Sequence, residues 1–215
     1  MGLRRTLAFG LRQIFFMLLP ASAFLLVLAE PVVRLAFQRG EFDAQSTALT
    51  SEALVFFAVG LAFNGASLLV IRAFFSLQLP WLATKVAALG VVLNGVLDAA
   101  LYQPLGTGGI PLATSIASAV TFGVMLYLLE RELGGVHLPW LVDGALRGLV
   151  ASLVSVLLAW ASWRVLDDAL GQSLGAQLVS MAAAITAATL AYAAAAHAFE
   201  MPELAALSRL GRPLR

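Results

Sequence analysis

From Gln13 to Ala29 the chain runs for 17 residues without a charge, and stretches of this kind recur almost to its end. A hydrocarbon layer about 30 Å thick takes roughly 20 apolar residues to cross as a helix. Six stretches reach that length, at about residues 14–37, 49–75, 81–102, 110–129, 141–166 and 174–199. They far exceed the roughly nine to eleven residues of a barrel strand and do not alternate in polarity. The expected fold class is therefore all-α, a polytopic transmembrane helix bundle in a single domain. Composition agrees: 61% of the 215 residues are hydrophobic and only 12% charged, too few polar faces to coat a water-soluble globule.

Between the stretches lie residues that end helices for identifiable reasons: Gly40 after Arg39, Pro104 with Gly106, the pair Gly134 and Gly135, Pro139, and Gly171. Glycine takes the left-handed conformation that closes a helix, and Asp43 is placed to cap the second helix through its side chain. Pro20, within the first stretch, is the expected kink. Small residues crowd the last helix, which permits close backbone approach. Gly144 and Gly148 form one small-xxx-small pair, weakened as a packing signal by Arg147 between them.

Lysine and arginine set the orientation. With a cytoplasmic N-terminus, the inner segments hold ten of them (Arg4, Arg5, Arg12, Arg72, Lys85, Arg131, Arg147, Arg209, Arg212 and Arg215) and the outer segments three, Arg34, Arg39 and Arg164. That asymmetry places both termini in the cytoplasm. The basic start followed by an apolar run ending in VLA also imitates a signal peptide cleaved after Ala29. The run is longer than usual for one and continues through Val32, Val33 and Leu35.

Enzymatic constellations are poorly supported. Cysteine is absent, which excludes a disulfide framework or catalytic thiol. His137 and His197 have no second ligand at helical spacing, so neither a metal nor a cofactor is expected. No phosphate-binding loop or nucleotide fingerprint occurs, and no nucleic-acid partner is expected. Asp167 and Asp168, beside Arg164, read as a solvated helix end.

Strongly polar groups inside apolar helices are more informative, since a charge at the membrane centre costs about 2.5–3.5 kcal/mol on insertion scales. Asn64 in the second helix, Arg72 near its inner end, and Asn94 and Asp98 in the third qualify. Asn94 and Asp98, four apart, share a helix face. They line a path for a polar or anionic head group or take part in proton or cation coupling; the plainer readings are snorkelling for Arg72, helix-to-helix hydrogen bonding for the asparagines and contact with interfacial water for Asp98.

The order of motifs brings in a family. LPASAFLLVLAEPVVRLAFQRGEFDAQST, residues 19–47, resembles a segment of the MurJ (MviN) family of lipid II flippases, members of the MOP exporter superfamily. ALVFFAVGLAFNGASLLVIRAFFSLQ resembles that family's next helix, with Arg72, Ala73 and Phe74 in place of its R-A-F-Y-like ending. VVLNGVLDAALYQPLGTGGIPLATSIAS resembles the following pair, including Asn94, the turn at Pro104 to Gly106 and the run from Gly109 to Ser115. The likeness is strong over about residues 19–131 and rests on hydropathy and position after that.

The resemblance implies fourteen helices in two lobes, of which this chain would supply the last six. The first lobe, with the cavity arginines that the family is thought to use on the lipid diphosphate, has no counterpart among these residues. The resemblance further implies a groove for a lipid tail on the final two helices, and makes QRGEFDAQST an external turn in which Arg39 and Glu41 are turn and interface residues. Where the family has an R-Q-D-x-K-T-P-like loop this chain reads LQLPWLATK, which keeps Gln78 and Lys85 and loses the other charges.

The expected function is thus the C-terminal part of a flippase for undecaprenyl-diphosphate-linked peptidoglycan precursor in the bacterial inner membrane, completed by an N-terminal lobe that a separate polypeptide could supply. Membrane lipid and the lipid-linked precursor are the expected partners. The substrate-path candidates are Arg72, Asn94, Asp98 and Asn64, with Lys85 as an inner-surface phosphate or lipid contact. Rival readings are another exporter of the superfamily, moving a lipid-linked oligosaccharide or a drug, and a non-transporting membrane scaffold. An intramembrane enzyme is the weakest.

Overall fold

In the computed structural model, which describes residues 2–135, 138–171 and 173–205, six α-helices follow one another. They are α1 (Leu3–Phe37), α2 (Ala44–Ser76), α3 (Pro80–Leu105), α4 (Gly109–Leu133), α5 (Leu138–Leu170) and α6 (Leu174–Ala198). Five continuous helical stretches are long and apolar enough to cross a membrane, with residues 80–133 forming one of 54 residues because a 3-10 turn at Gly106–Gly108 joins α3 to α4. Those two helices fold back on each other, so that stretch is a helical hairpin. The helices overrun the apolar stretches at most ends.

The turns follow from glycine stereochemistry. Gly40, Gly106, Gly134, Gly135 and Gly171 all take positive φ, between 57° and 115°, a region that a Cβ disfavours. Asp43 caps α2 as expected: its side chain accepts from the Ser46 backbone N–H at 2.8 Å. Hydrogen bonds from the Ser46 backbone and side chain hold the Asp43 carboxyl below its ordinary pKa, so the cap is complete above the ordinary carboxylate range and is lost as pH falls through the lowered value. Arg39 turns back on α1 and donates to the Leu35 carbonyl at 3.1 Å.

Pro20 does not kink α1. The break falls at Leu28 (φ −110°, ψ 23°), three residues before Pro31. Both prolines lack an N–H and so free the carbonyl four residues earlier. For Pro20 that carbonyl belongs to Phe16, and the Tyr192 hydroxyl of α6 donates to it at 2.6 Å. The carbonyl is satisfied without any bend. Replacing Tyr192 with phenylalanine leaves it unpaired in a dry interface, and we expect a loss of about 1–2 kcal/mol, read as a shift in the detergent-unfolding midpoint.

Helices α1 to α4 form a body around Leu11, Phe15, Val70, Phe74, Phe122 and Leu129. Phe15, Phe63 and Phe122 meet in a triangle with ring centroids 5.8–6.2 Å apart, the edge-to-face spacing at which aromatic quadrupoles attract. Gly60 lets α2 and α4 touch: Ser115 Oγ donates to the Phe56 carbonyl at 2.6 Å. The α5–α6 hairpin packs on itself and on α1, with no comparable packing against α2, α3 or α4. Helix α1 is therefore a seam between body and hairpin.

One end of the bundle carries the start of α1, the end of α4, the start of α5 and the residues after α6. We call it the terminal face. There Arg12, 4% exposed, pairs with Glu203, 0% exposed. Arg12 also donates to the Trp140 carbonyl at 3.1 Å and stacks 4.0 Å from the Trp140 ring centroid. Gly144 leaves room for that guanidinium, since a Cβ there would collide with it. The chain reaches this site by reversing at Glu200 (φ 50°), and Arg147 holds the turn by donating to the Phe199 carbonyl at 3.2 Å.

The opposite end, the loop face, carries the α1–α2, α3–α4 and α5–α6 connections. Here the expectation for Asp167 needs correcting. It lies in the last turn of α5 and accepts from Arg34 of α1 at 2.7 Å, with both side chains largely buried. Asp168 is exposed and remains a helix-end acid. The pairing was hidden because Arg34 and Asp167 stand 133 residues apart in sequence.

Candidate functional site

A groove of about 400 Å³ lies between α2, α3 and α4. Its polar lining consists of Asn64 and Ser67 from α2, Asn94 from α3, and Thr114, Ser118 and Thr121 from α4. Each helix contributes these groups for a local reason. Thr114, Ser118 and Thr121 recur at i, i+4 and i+7, which is one face of α4. Their hydroxyls donate to carbonyls one turn back, Ile110, Thr114 and Ala117, at 3.2, 2.8 and 2.7 Å, so an apolar helix can carry them without orphaned donors. Their oxygens still have acceptor capacity toward the groove.

Asn94 donates through Nδ2 to Asp98 Oδ2 at 2.9 Å, one turn along α3. The other Asp98 oxygen, Oδ1, is buried without a protein partner, as is Ser67 Oγ. Buried polar atoms are almost always paired, so these two oxygens leave acceptor capacity in or beside the groove. The arrangement offers acceptor oxygens and amide donors in an otherwise apolar surround, and it can hold a small polar or cationic group.

The structure brings together two of the sequence candidates, Asn64 and Asn94, in this groove, with Asp98 tied to it through Asn94. Arg72 and Lys85 stand outside the lining, and both are exposed, although their neighbours Ile71 and Val86 form part of the wall. The hydroxyls of Ser67, Thr114, Ser118 and Thr121 were missed, and the signal was present in the helical spacing of the three α4 residues. Of the two histidines, His137 lies outside the described residues, and His197 ends α6 exposed.

A second, wholly different depression lies on the hairpin. It is an open apolar groove of about 730 Å³ between α5 and α6, lined by leucine, valine and alanine side chains with Ser162 as its polar member. Small residues on α6 (Ala187, Ala191) create it by leaving space that larger side chains would fill.

These features define a polytopic α-helical integral membrane protein, with a groove carrying polar groups between α2, α3 and α4 and an apolar groove on an appended hairpin. The family model for the lipid II flippase MurJ matches residues 2–197, and the chain belongs to that family. A probable lipid II flippase MurJ from Synechocystis sp. is 34% identical over 134 residues, covering 61% of this chain and 25% of the relative. One from Bdellovibrio bacteriovorus is 22% identical over 198 residues, covering 92% of this chain and 37% of the relative. A solved structure, lipid II flippase MurJ in an inward closed conformation, superimposes with a TM-score of 0.68 at 20% identity, covering 90% of this chain and 39% of that one. That likeness establishes the fold. The chain thus spans between a quarter and two fifths of the length of these proteins.

Proposed function

We propose that this chain forms the C-terminal part of a MurJ-type lipid II flippase and moves an undecaprenyl-diphosphate-linked peptidoglycan precursor across the bacterial inner membrane together with a complementary N-terminal lobe. The observation that carries the proposal is the family match over residues 2–197. Flipping a lipid-linked head group needs two halves that open alternately, and six helices form one of them. Exposure of Asn64 on the surface of this half supports a covering partner, because a bare amide toward lipid is costly.

In this reading Asn64, Asn94 and Asp98 are the polar groups in and beside the α2–α3–α4 groove that respond to cargo or to a coupling ion, and Arg72 and Lys85 act at the inner surface on phosphate. The apolar groove of the α5–α6 hairpin accepts the lipid tail. Both termini are cytoplasmic, on the lysine and arginine asymmetry of the loops.

The test is affinity capture from gently solubilised native membranes, with mass spectrometry of both protein and lipid. Co-recovery of an N-lobe-like polypeptide and of lipid II is expected. Capture of the chain alone, without such lipid, overturns transport by this polypeptide and leaves the scaffold reading. Capture of a different lipid-linked oligosaccharide reassigns the cargo.

A further inference from the structure

The loop-face end of α1 is built differently from the rest of that helix. Helical geometry breaks at Leu28, and Pro31 frees the Val27 carbonyl that would have bound its N–H. Unlike the carbonyl freed by Pro20, this one has no side-chain donor among the described residues. Leu28 itself is fully buried against Ala159 of α5 and Ala184 of α6, with Phe24, Trp163 and Ala188 packed around them. Residues 29–37 therefore form a short helical arm beyond a pivot.

The arm buries Ala29, Pro31 and Val33, and one ion pair ties it to α5. Arg34 donates to Asp167 at 2.7 Å and its guanidinium lies 5.8 Å from the Trp163 ring centroid. The terminal-face pair has the same three components, arginine, acid and tryptophan (Arg12, Glu203 and Trp140), but it is sealed, with side-chain exposures of 3% and 1% against 15% and 12% for Arg34 and Asp167. Arg12 and Arg34 are 22 residues apart, about 33 Å along a helix, close to the roughly 30 Å hydrocarbon layer. Each pair thus sits near one border, and the loop-face pair is the less sealed of the two.

The placement of Asp167 argues that it is kept for this contact. An acid in the last turn of α5 faces the negative end of the helix dipole, so it is unfavourable for its own helix. On α5 it lies one turn beyond Trp163, on the face turned to Arg34 of α1, and not on the face whose Leu158, Ser162 and Val165 line the apolar groove.

We propose that residues 29–37 of α1, with the loop that follows, are a hinged gate between α1 and α5 at the loop face: the pivot is Leu28 and the latch is Arg34 on Asp167. Such a gate follows from the fold alone and stands whatever the cargo.

The chain has no cysteine, so paired spin labels report only where they are placed. One pair, Phe37 and Leu174, spans arm and hairpin at the loop face; the other, Phe9 and Leu146, spans α1 and α5 toward the terminal face. All four side chains are exposed, at 37–59%. In the full chain in nanodiscs, Asp167→Asn is expected to broaden the loop-face distance distribution while the terminal-face distribution stays narrow. Adding Pro31→Ala should remove the broadening by restoring helix continuity across the hinge. A loop-face distribution unchanged by Asp167→Asn, an equal broadening of both pairs, or broadening that survives Pro31→Ala overturns the gate. If Asp167→Asn does not insert, the labelled parent chain is measured at about 1 M and about 0.01 M salt, where the Debye length is roughly 3 Å and 30 Å, and selective loop-face broadening at high salt is the result required.

Discussion

Glu203→Ala is expected to destabilise the chain more than any other single truncation outside the apolar core. The substitution leaves the Arg12 guanidinium, 4% exposed, without its counter-charge in a site that water does not reach. Breaking one partner of such a pair costs about 3–5 kcal/mol. The Trp140 carbonyl at 3.1 Å and the ring face at 4.0 Å remain and soften the loss, but neither neutralises a charge. The expected outcome is a large fall in the unfolding midpoint in mixed micelles, together with release of residues 199–205 from the bundle, seen as faster amide exchange there.

The decisive comparison is the double variant Arg12→Met with Glu203→Leu. Replacing a buried ion pair by apolar residues of similar volume is often neutral or stabilising, so the double variant should regain most of what Glu203→Ala loses. Such a recovery shows that the pair is needed because each charge needs the other, and that its gain lies in fixing where the C-terminal segment docks. A double variant as unstable as the single one would instead assign the stability to the specific hydrogen bonds of Arg12. Gly144 supplies an internal check: a Cβ there drives into the same guanidinium, so Gly144→Ala should be tolerated better when Arg12 is methionine than when it is arginine, a coupling that separated sites do not show.

Much of the architecture was legible because it depends on neighbours in sequence. Apolar stretches of membrane-crossing length placed all six helices, and Gly40, Gly106, Gly134 and Gly171 marked ends that only a residue without a Cβ closes cheaply. Asp43 as a cap and the shared face of Asn94 and Asp98 are likewise local facts. What escaped was decided by distant residues. Pro20 and Pro31 are equivalent in sequence, yet one is neutralised by a tyrosine 172 positions later and the other is not. Arg12 and Arg34 counted equally as loop charges for orientation, whereas one is sealed against Glu203 and the other latched to Asp167. The groove was half legible: its amides stand out among apolar neighbours, but serine and threonine in a membrane helix are common and bind their own backbone, so only the meeting of α2, α3 and α4 shows which of them face a common space.

Gly60→Ala is expected to be strongly damaging for the addition of a single carbon. At Gly60, α2 runs against Ser115 of α4 so closely that a Cβ would lie 2.6 Å from Ser115 Oγ, 2.7 Å from its Cα and 2.9 Å from its Cβ. The clash with the Ser115 backbone decides the matter, because a flexible side chain can swing aside and a backbone atom moves only with its helix. Gly65 makes the contrast: its close neighbour is the tip of Leu18, which can rotate, so Gly65→Ala should cost far less. Separating α2 from α4 also stretches the Ser115 to Phe56 bond, now 2.6 Å. Overpacking of about 1–3 kcal/mol and loss of roughly 1 kcal/mol from that hydrogen bond combine to about 2–4 kcal/mol, measurable as a lowered unfolding midpoint against the Gly65→Ala control. The consequence reaches the groove, because Asn64 lies one turn from Gly60 and Thr114 and Ser118 flank Ser115. Widening this interface moves the α2 and α4 walls apart, so water exchange at the groove should rise in Gly60→Ala and not in Gly65→Ala. Equal effects of the two substitutions would show that the α2–α4 interface is plastic and that the groove does not depend on it for its shape.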